Sequence, residues 1–267
     1  MGSLPRRHWH EMTTEDFGGG NTGDWIAVLP IAAIEQHGPH LPVFTDTCIA
    51  EGQLAETIKH MPEDLPVTFL PVQAIGASDE HISYAGTLTY SCETAMDTWR
   101  QIGDAVHRAG IRKFVLVSSH GGNNPLMEVV TRDLRVRHNM LAVGSSWLRY
   151  GQPEGVYPKE ESLYGIHGGD VETSIMQALR PDLVRMDLAE DFKSTQLQAI
   201  EQYSYLRAHG RHQYGWMSED LNPKGAMGNA KAATPEKGRA SLEFAAKEFI
   251  KLLTDVHAFD VNRLGKL

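Results

Sequence analysis

Four short runs of the chain are apolar without polar alternation: 25–31 (WIAVLPI), 67–72 (VTFLPV), 113–118 (KFVLVS) and 140–145 (MLAVGS). Strands buried on both faces read this way. Between them, 46–60, 92–109 and 124–138 carry helical spacing, the last with Pro125 near its first turn, where a missing N–H costs nothing. Residues 170–180 repeat the helical pattern, and 235–253 sets Leu242, Ala246, Phe249 and Leu253 on one stripe. Alternating strand and helix predicts an α/β fold with a mostly parallel central sheet, helices on both faces, and sites in loops at the carboxyl ends of strands. Residues 193–232 break the pattern. They are polar and irregular, with Gly210, Gly215, Pro223, Gly225 and Gly228, and read as an inserted lid or an oligomer contact. Without an internal repeat or a linker, 1–267 reads as a single domain.

Composition narrows the partners. With 41% hydrophobic and 22% charged residues the chain resembles ordinary globular proteins and has no run long enough to span a bilayer. A formal net charge of -9 and the lack of a Lys/Arg stripe oppose nucleic-acid binding and favour a small-molecule substrate. Cys48 and Cys92 are too few for a disulfide framework, and no apolar leader follows MGSLPRRHWHE, so the expected location is cytoplasmic.

Chemistry is concentrated in three loops. The first, 31–47 (IAAIEQHGPHLPVFTDT), leaves the first predicted strand. Glu35 and His37, two apart, project to one side of an extended stretch, and Asp46 arrives at the helix entrance, where it could bridge two cations. Taken alone, Asp46 could equally be an N-cap, with Glu35 and His37 as solvated loop residues. The second loop, 118–124 (SSHGGNN), sets His120 among glycines. The third, 167–174 (HGGDVETS), combines His167, Asp170 and Glu172 at a helix start. The predicted sheet order could bring all three loops to one end. Imidazoles with carboxylates suit zinc, manganese or iron, and two such ions about 3.5–4 Å apart can share a hydroxide that is nucleophilic at neutral pH. G-x-G-x-x-G at Gly18, Gly20 and Gly23 precedes a strand instead of following one, which argues against dinucleotide binding.

The segments LPIAAIEQHGPHLPVFTD, GASDEHISYAGTLT, SSHGGNN, HGGDVETS and GAMGNAKAATPEKG resemble the creatininase (creatinine amidohydrolase) family over about residues 25 to 240. The resemblance implies a three-layer α/β/α fold, a homo-oligomer, commonly a hexamer, and two divalent ions, Zn and/or Mn with Fe as an option. It places one metal on Glu35 and Asp46 and the other on His37, Asp46 and His120. It also gives proton transfer to His167 and puts Ser78 near the substrate. Glu80, His81 and Tyr164 join Ser78 as substrate-binding candidates.

Creatininase, which names the family, has a Tyr-Glu pair after the histidine of the second motif, and that Glu completes its first metal site. Here Gly121 and Gly122 stand there, so Glu172 becomes the candidate for the missing ligand, or else a carboxylate behind the ligands that acts in catalysis without binding metal. A Trp-Asp pair that contacts creatinine is replaced by Leu163 and Tyr164, so creatinine is not the expected substrate. The expected activity is metal-dependent hydrolysis of a small polar carbonyl compound, a cyclic amide or formamide C–N bond, by a metal-bridging hydroxide. One alternative is a ring-opening hydrolase of a cyclic keto-sugar or keto-inositol. The other is a non-catalytic metal-binding protein.

Overall fold

The computed structural model describes residues 4–18 and 22–265, so Gly20 of the glycine run lies outside the described residues. A short helix α1 (Thr14–Gly18) leads to strand β1 (Ile26–Ile31) and helix α2 (Thr45–His60). Strand β2 (Val67–Phe69), helix α3 (Cys92–Arg108), strand β3 (Lys113–Ser118), helix α4 (Asn124–His138) and strand β4 (Leu141–Ser146) follow. The four strands form one parallel sheet in the order β2-β1-β3-β4, with Ile26 opposite both Val67 and Lys113, and Lys113 opposite Leu141.

Period-two alternation divides the strand side chains between two cores. Ala27, Leu29, Ile31, Phe114 and Leu116 face one side, where they meet Trp99 and Val106 of α3 and Met127, Val130 and Leu134 of α4. Ile26, Val28, Val115 and Val117 face the other, against Phe249, Leu253 and Val256 of the terminal helix and Leu54 and Ile58 of α2. Helices therefore cover both faces, which is the three-layer α/β/α arrangement.

Local chemistry sets several boundaries. Ser91 caps α3 by accepting from the Thr94 N–H at 3.3 Å, and Asn139 ends α4 in the left-handed region (φ 54°), which its short polar side chain tolerates. The predicted strand 67–72 stops at Phe69, two residues before Pro71, which has no N–H to give the ladder. After β4 come helices α5 (Lys159–Tyr164), α6 (Asp170–Leu179), α7 (Gln196–Gln202), α8 (Ser218–Leu221) and α9 (Pro235–Ala258). Thr234 caps α9 through the Lys237 N–H at 3.3 Å, and the helix runs five residues past the predicted stripe.

The segment 193–232 has structure of its own. β5 (Asp191–Phe192) pairs antiparallel with β6 (Gly228–Asn229) at its two ends, and Ala208, Leu221 and Met227 form a small buried cluster flanked by Ile166, Tyr214 and Trp216. No described helix is long and apolar enough to cross a membrane.

Candidate metal centre

The parallel register puts the loops after β1, β2 and β3 at one end of the sheet. Past β1 the chain stays extended, because Ile34 bridges Leu88 and the Glu35 N–H donates to the Val43 carbonyl at 3.0 Å. Glu35 and His37 consequently point inward, and both are fully buried. Asp46 lies in the first turn of α2, where no side chain caps the helix, and it too is buried. The N-cap alternative is not realised: Asp46 Oδ1 sits 3.4 Å from His37 Nε2 and Oδ2 sits 3.4 Å from His120 Nδ1.

Asp46 thereby joins two donor groups. Glu35, Asp46 and His120 form one, and His37, Asp46 and Glu172 the other; each offers three ligand atoms within 4.8 Å of one another. This division differs from the one implied by resemblance, which paired His120 with His37. His120 follows β3, the immediate neighbour of β1, and its Nδ1 lies 3.1 Å from Glu35 Oε1. Glu172, on the first turn of α6, sits 3.6 Å from His37 Nε2 and accepts from the Gly168 N–H at 2.6 Å. It belongs to the second group, so it does not fill the position that Gly122 leaves beside His120.

Both Glu35 carboxylate oxygens, His37 Nε2 and Asp46 Oδ2 are buried without a hydrogen-bond partner. Orphaned acceptors clustered in this way are costly unless a cation satisfies them, and the mixture of imidazole and carboxylate suits Zn²⁺ or Mn²⁺. Electrostatics agree. Burial opposes protonation of His120 and His37, but Glu35 and Asp46 respectively, with the other carboxylates nearby, outweigh it and lift the two imidazoles to about 10 and about 9. Burial also opposes ionisation of Glu35, yet His120 holds its carboxyl well below the usual range. Burial raises Glu172 to about 7.

Behind the donors stands a stack of rings. His167 lies between His37, at a centroid distance of 4.0 Å, and His81, at 4.3 Å. His167 Nε2 donates to the Gln36 carbonyl at 2.6 Å, which turns Nδ1 toward Glu35 Oε1, 3.6 Å away. Burial drives the His167 pKa well below 6.5, so the ring is neutral with a lone pair facing the cluster. The Gln36 amide, unremarked in the sequence reading, ties the stack together: Nε2 donates to His81 Nδ1 at 2.8 Å and to the Gly225 carbonyl at 2.8 Å. Gly225 is a glycine by necessity, since a Cβ there would collide with the Gln36 side chain. His40 joins the first loop to α6 through the Thr173 hydroxyl at 2.9 Å.

A cavity of about 410 Å³ opens onto the donors and is lined by Glu35, Asp46, Glu80, His81, His120, His167 and Glu172. Leu148, Ile166, Tyr214 and Trp216 form its apolar wall. Sequence reasoning missed these four, because three of them reach the site only through the fold of 193–232 and of the turn before His167. Of the four substrate-binding candidates, Glu80 and His81 line the cavity, whereas Ser78 and Tyr164 do not. Ser78 is buried behind His120, its Oγ 3.5 Å from Nε2, and Tyr164, on the last turn of α5, packs with Lys193 Nζ 5.7 Å over its ring. Trp147, directly after β4, meets Phe249 edge-on with ring centroids 4.7 Å apart, and its neighbour Leu148 lines the cavity. Asp170 also serves structure: it accepts from Lys237 Nζ at 2.6 Å and joins α6 to α9.

Comparison with known proteins places this arrangement. The family model described as creatininase, creatinine amidohydrolase, matches residues 10–253. The chain belongs to the creatininase family. As a family member it is a metal-dependent hydrolase of the amidohydrolase kind. It is 30% identical over 221 residues to a mycofactocin precursor peptide peptidase of Mycobacterium ulcerans (strain Agy99), covering 80% of this chain and 79% of that protein. It is 27% identical over 237 residues to the creatinine amidohydrolase of Pseudomonas putida, covering 83% and 85% of the two. Among solved structures, a creatinine amidohydrolase superposes with a TM-score of 0.72 at 24% identity, over 97% of this chain and all of the other. A manganese form of creatininase matches with the same TM-score at 22% identity, over 95% and 99% of the two chains.

Proposed function

We propose that this creatininase-family hydrolase cleaves an amide C–N bond in a small polar substrate, a cyclic amide or formamide, with two divalent ions held by Glu35, His37, Asp46, His120 and Glu172. One observation carries the reading: Glu35, Asp46, His120 and Glu172, drawn from both donor groups, line one cavity of about 410 Å³, a size that suits a small-molecule ligand. A purely structural metal site closes its coordination and needs no such space.

When bound, the ions supply a Lewis acid for the substrate carbonyl and an activated water at neutral pH. The protein's own contribution is proton handling and orientation. His167, neutral and with Nδ1 facing the cluster, accepts the proton lost by the attacking water and delivers it to the amide nitrogen as the C–N bond breaks. The Gln36 carbonyl fixes the ring so that this lone pair stays aimed at the cavity. Leu148, Ile166, Tyr214 and Trp216 exclude water from one side of the substrate and leave room for an apolar group beside the scissile bond.

Two relatives whose names state cleavage of a peptide or amide, at 30% and 27% identity, support C–N hydrolysis over ring opening. A 3-dehydro-scyllo-inosose hydrolase of Thermotoga maritima is 22% identical over 86% of the chain. A substrate panel separates the two. Purified protein supplied with Zn²⁺ or Mn²⁺ is expected to open cyclic amides to amino-carboxylates or to split formamides into amine and formate, and turnover of carbocyclic ketones alone would reject the proposal.

A further inference from the structure

Two stacked imidazoles, His81 and His167, line the cavity beside Glu35, and the contacts of Gln36 decide which of their nitrogens carry protons. Gln36 is buried. The Gly38 N–H donates to its Oε1 at 2.9 Å, and the Gly225 carbonyl accepts from its Nε2 at 2.8 Å. A backbone N–H only donates and a carbonyl only accepts, so these contacts fix the amide's orientation. Exchanging its oxygen and nitrogen would set donor against donor and acceptor against acceptor. The Ser218 hydroxyl, 3.0 Å from Nε2, donates to the same Gly225 carbonyl at 3.1 Å and closes the nitrogen side.

This orientation passes to His81, which ends the single turn Asp79–His81 in the loop after β2. Gln36 Nε2 lies 2.8 Å from His81 Nδ1. An amide nitrogen offers hydrogens and no lone pair, so His81 Nδ1 accepts, and the ring's one proton sits on Nε2. That N–H is 3.5 Å from Glu35 Oε1, too long for a strong hydrogen bond. His167 is held the other way round. Its Nε2 donates to the Gln36 backbone carbonyl at 2.6 Å, and Nδ1 turns to Glu35 Oε1 at 3.6 Å. The 3.3 Å approach of Gln36 Nε2 to His167 Nε2 sets two donors side by side and is no hydrogen bond. The two rings lie 4.3 Å apart at 25° between their planes, so each limits the other's rotation.

We propose that Gln36 is a positioning residue that fixes the stacked pair in complementary roles, His167 as an acceptor and His81 as a hydrogen-bond donor to a substrate oxygen. Its backbone carbonyl sets the first ring and its side-chain amide the second. The substrate therefore carries an acceptor oxygen within reach of His81 Nε2. The donor role rests on the hydrolase reading above; the proton positions stand apart from it.

Long-range ¹H–¹⁵N NMR spectra of the Zn²⁺-loaded full-length chain, ¹⁵N-labelled in its histidine rings, show which nitrogen of each ring is protonated. Signals of the two rings are assigned from their loss in His81→Phe and His167→Phe. The natural chain is expected to carry the His81 and His167 protons on Nε2. In Gln36→Glu, which puts an oxygen where the amide nitrogen stood, His81 is expected to carry a proton on Nδ1, while His167, bound to a backbone carbonyl, keeps its proton on Nε2. A His81 proton on Nδ1 in the natural chain, or His81 unchanged in Gln36→Glu, would overturn the proposal. His81→Phe keeps the stack and removes the donor: kcat/KM is expected to fall by about tenfold or more with zinc content unchanged, and a natural kcat/KM would remove His81 from substrate binding. A natural chain that hydrolyses no amide would defeat the hydrolase reading, and the spectra would still decide the proton positions.

Discussion

His167 owes its properties to two neighbours and to depth. The Gln36 carbonyl takes the proton on Nε2, His37 and His81 sandwich the ring, and burial keeps it uncharged. It is therefore poised as a base and contributes no charge to the metal donors. His167→Ala should lower kcat by about 10²–10⁴-fold while metal content, measured by inductively coupled plasma mass spectrometry, stays near that of the natural chain. Unchanged turnover would remove His167 from proton transfer. Residue types and their place in loops made Glu35, His37, Asp46 and His120 legible in the sequence, because few other jobs ask for an imidazole and two acids in one short loop. The partition of those donors was not legible: that His120 faces Glu35 follows from β3 lying beside β1, a tertiary fact. Nor could spacing show that Glu172 lies beside His37, or that Tyr164 turns toward Lys193.

Among the elements, α6 and α9 frame the site from below. Asp170 begins α6, is almost wholly buried, and accepts from Lys237 Nζ at 2.6 Å and from the Ser174 hydroxyl at 3.0 Å. Glu161 fastens the same turn by accepting from the Asp170 and Asn229 N–H groups at 2.6 and 3.0 Å. Lys237→Met would strand the Asp170 charge. A loss of about 2–3 kcal/mol in unfolding free energy is expected, below the ~3–5 kcal/mol of fully buried pairs because water still reaches Lys237. Urea denaturation measures it, and Lys237→Met added to Asp170→Asn should cost much less than the single change to Lys237. Equal stability of the Lys237→Met and natural chains would show that the pair does not hold the two helices together. Element identity was largely legible: the buried runs became strands and the periodic segments helices, within a few residues. The ends moved where local chemistry intervened, as at Pro71, and 193–232 stayed opaque because its buried residues, Ala208, Leu221 and Met227, follow no period in the sequence and meet only in the folded chain.

For the molecule as a whole, the sheet acts as a positioning device. Parallel register delivers three loops to one end, and two layers of helices keep those loops dry enough for orphaned carboxylate and imidazole atoms to persist. The framework is shared with a solved creatinine amidohydrolase over 97% of this chain, at a TM-score of 0.72. The central claim, that Glu35, His37, Asp46, His120 and Glu172 would hold two ions for amide hydrolysis, is tested most directly by adding Zn²⁺ or Mn²⁺ stepwise to chelator-stripped protein while carboxylate formation from a cyclic amide or formamide is followed. Carboxylate formation should be absent in excess chelator and reach its plateau rate at two equivalents of metal per chain; a plateau at one equivalent, or the full rate without metal, would contradict it.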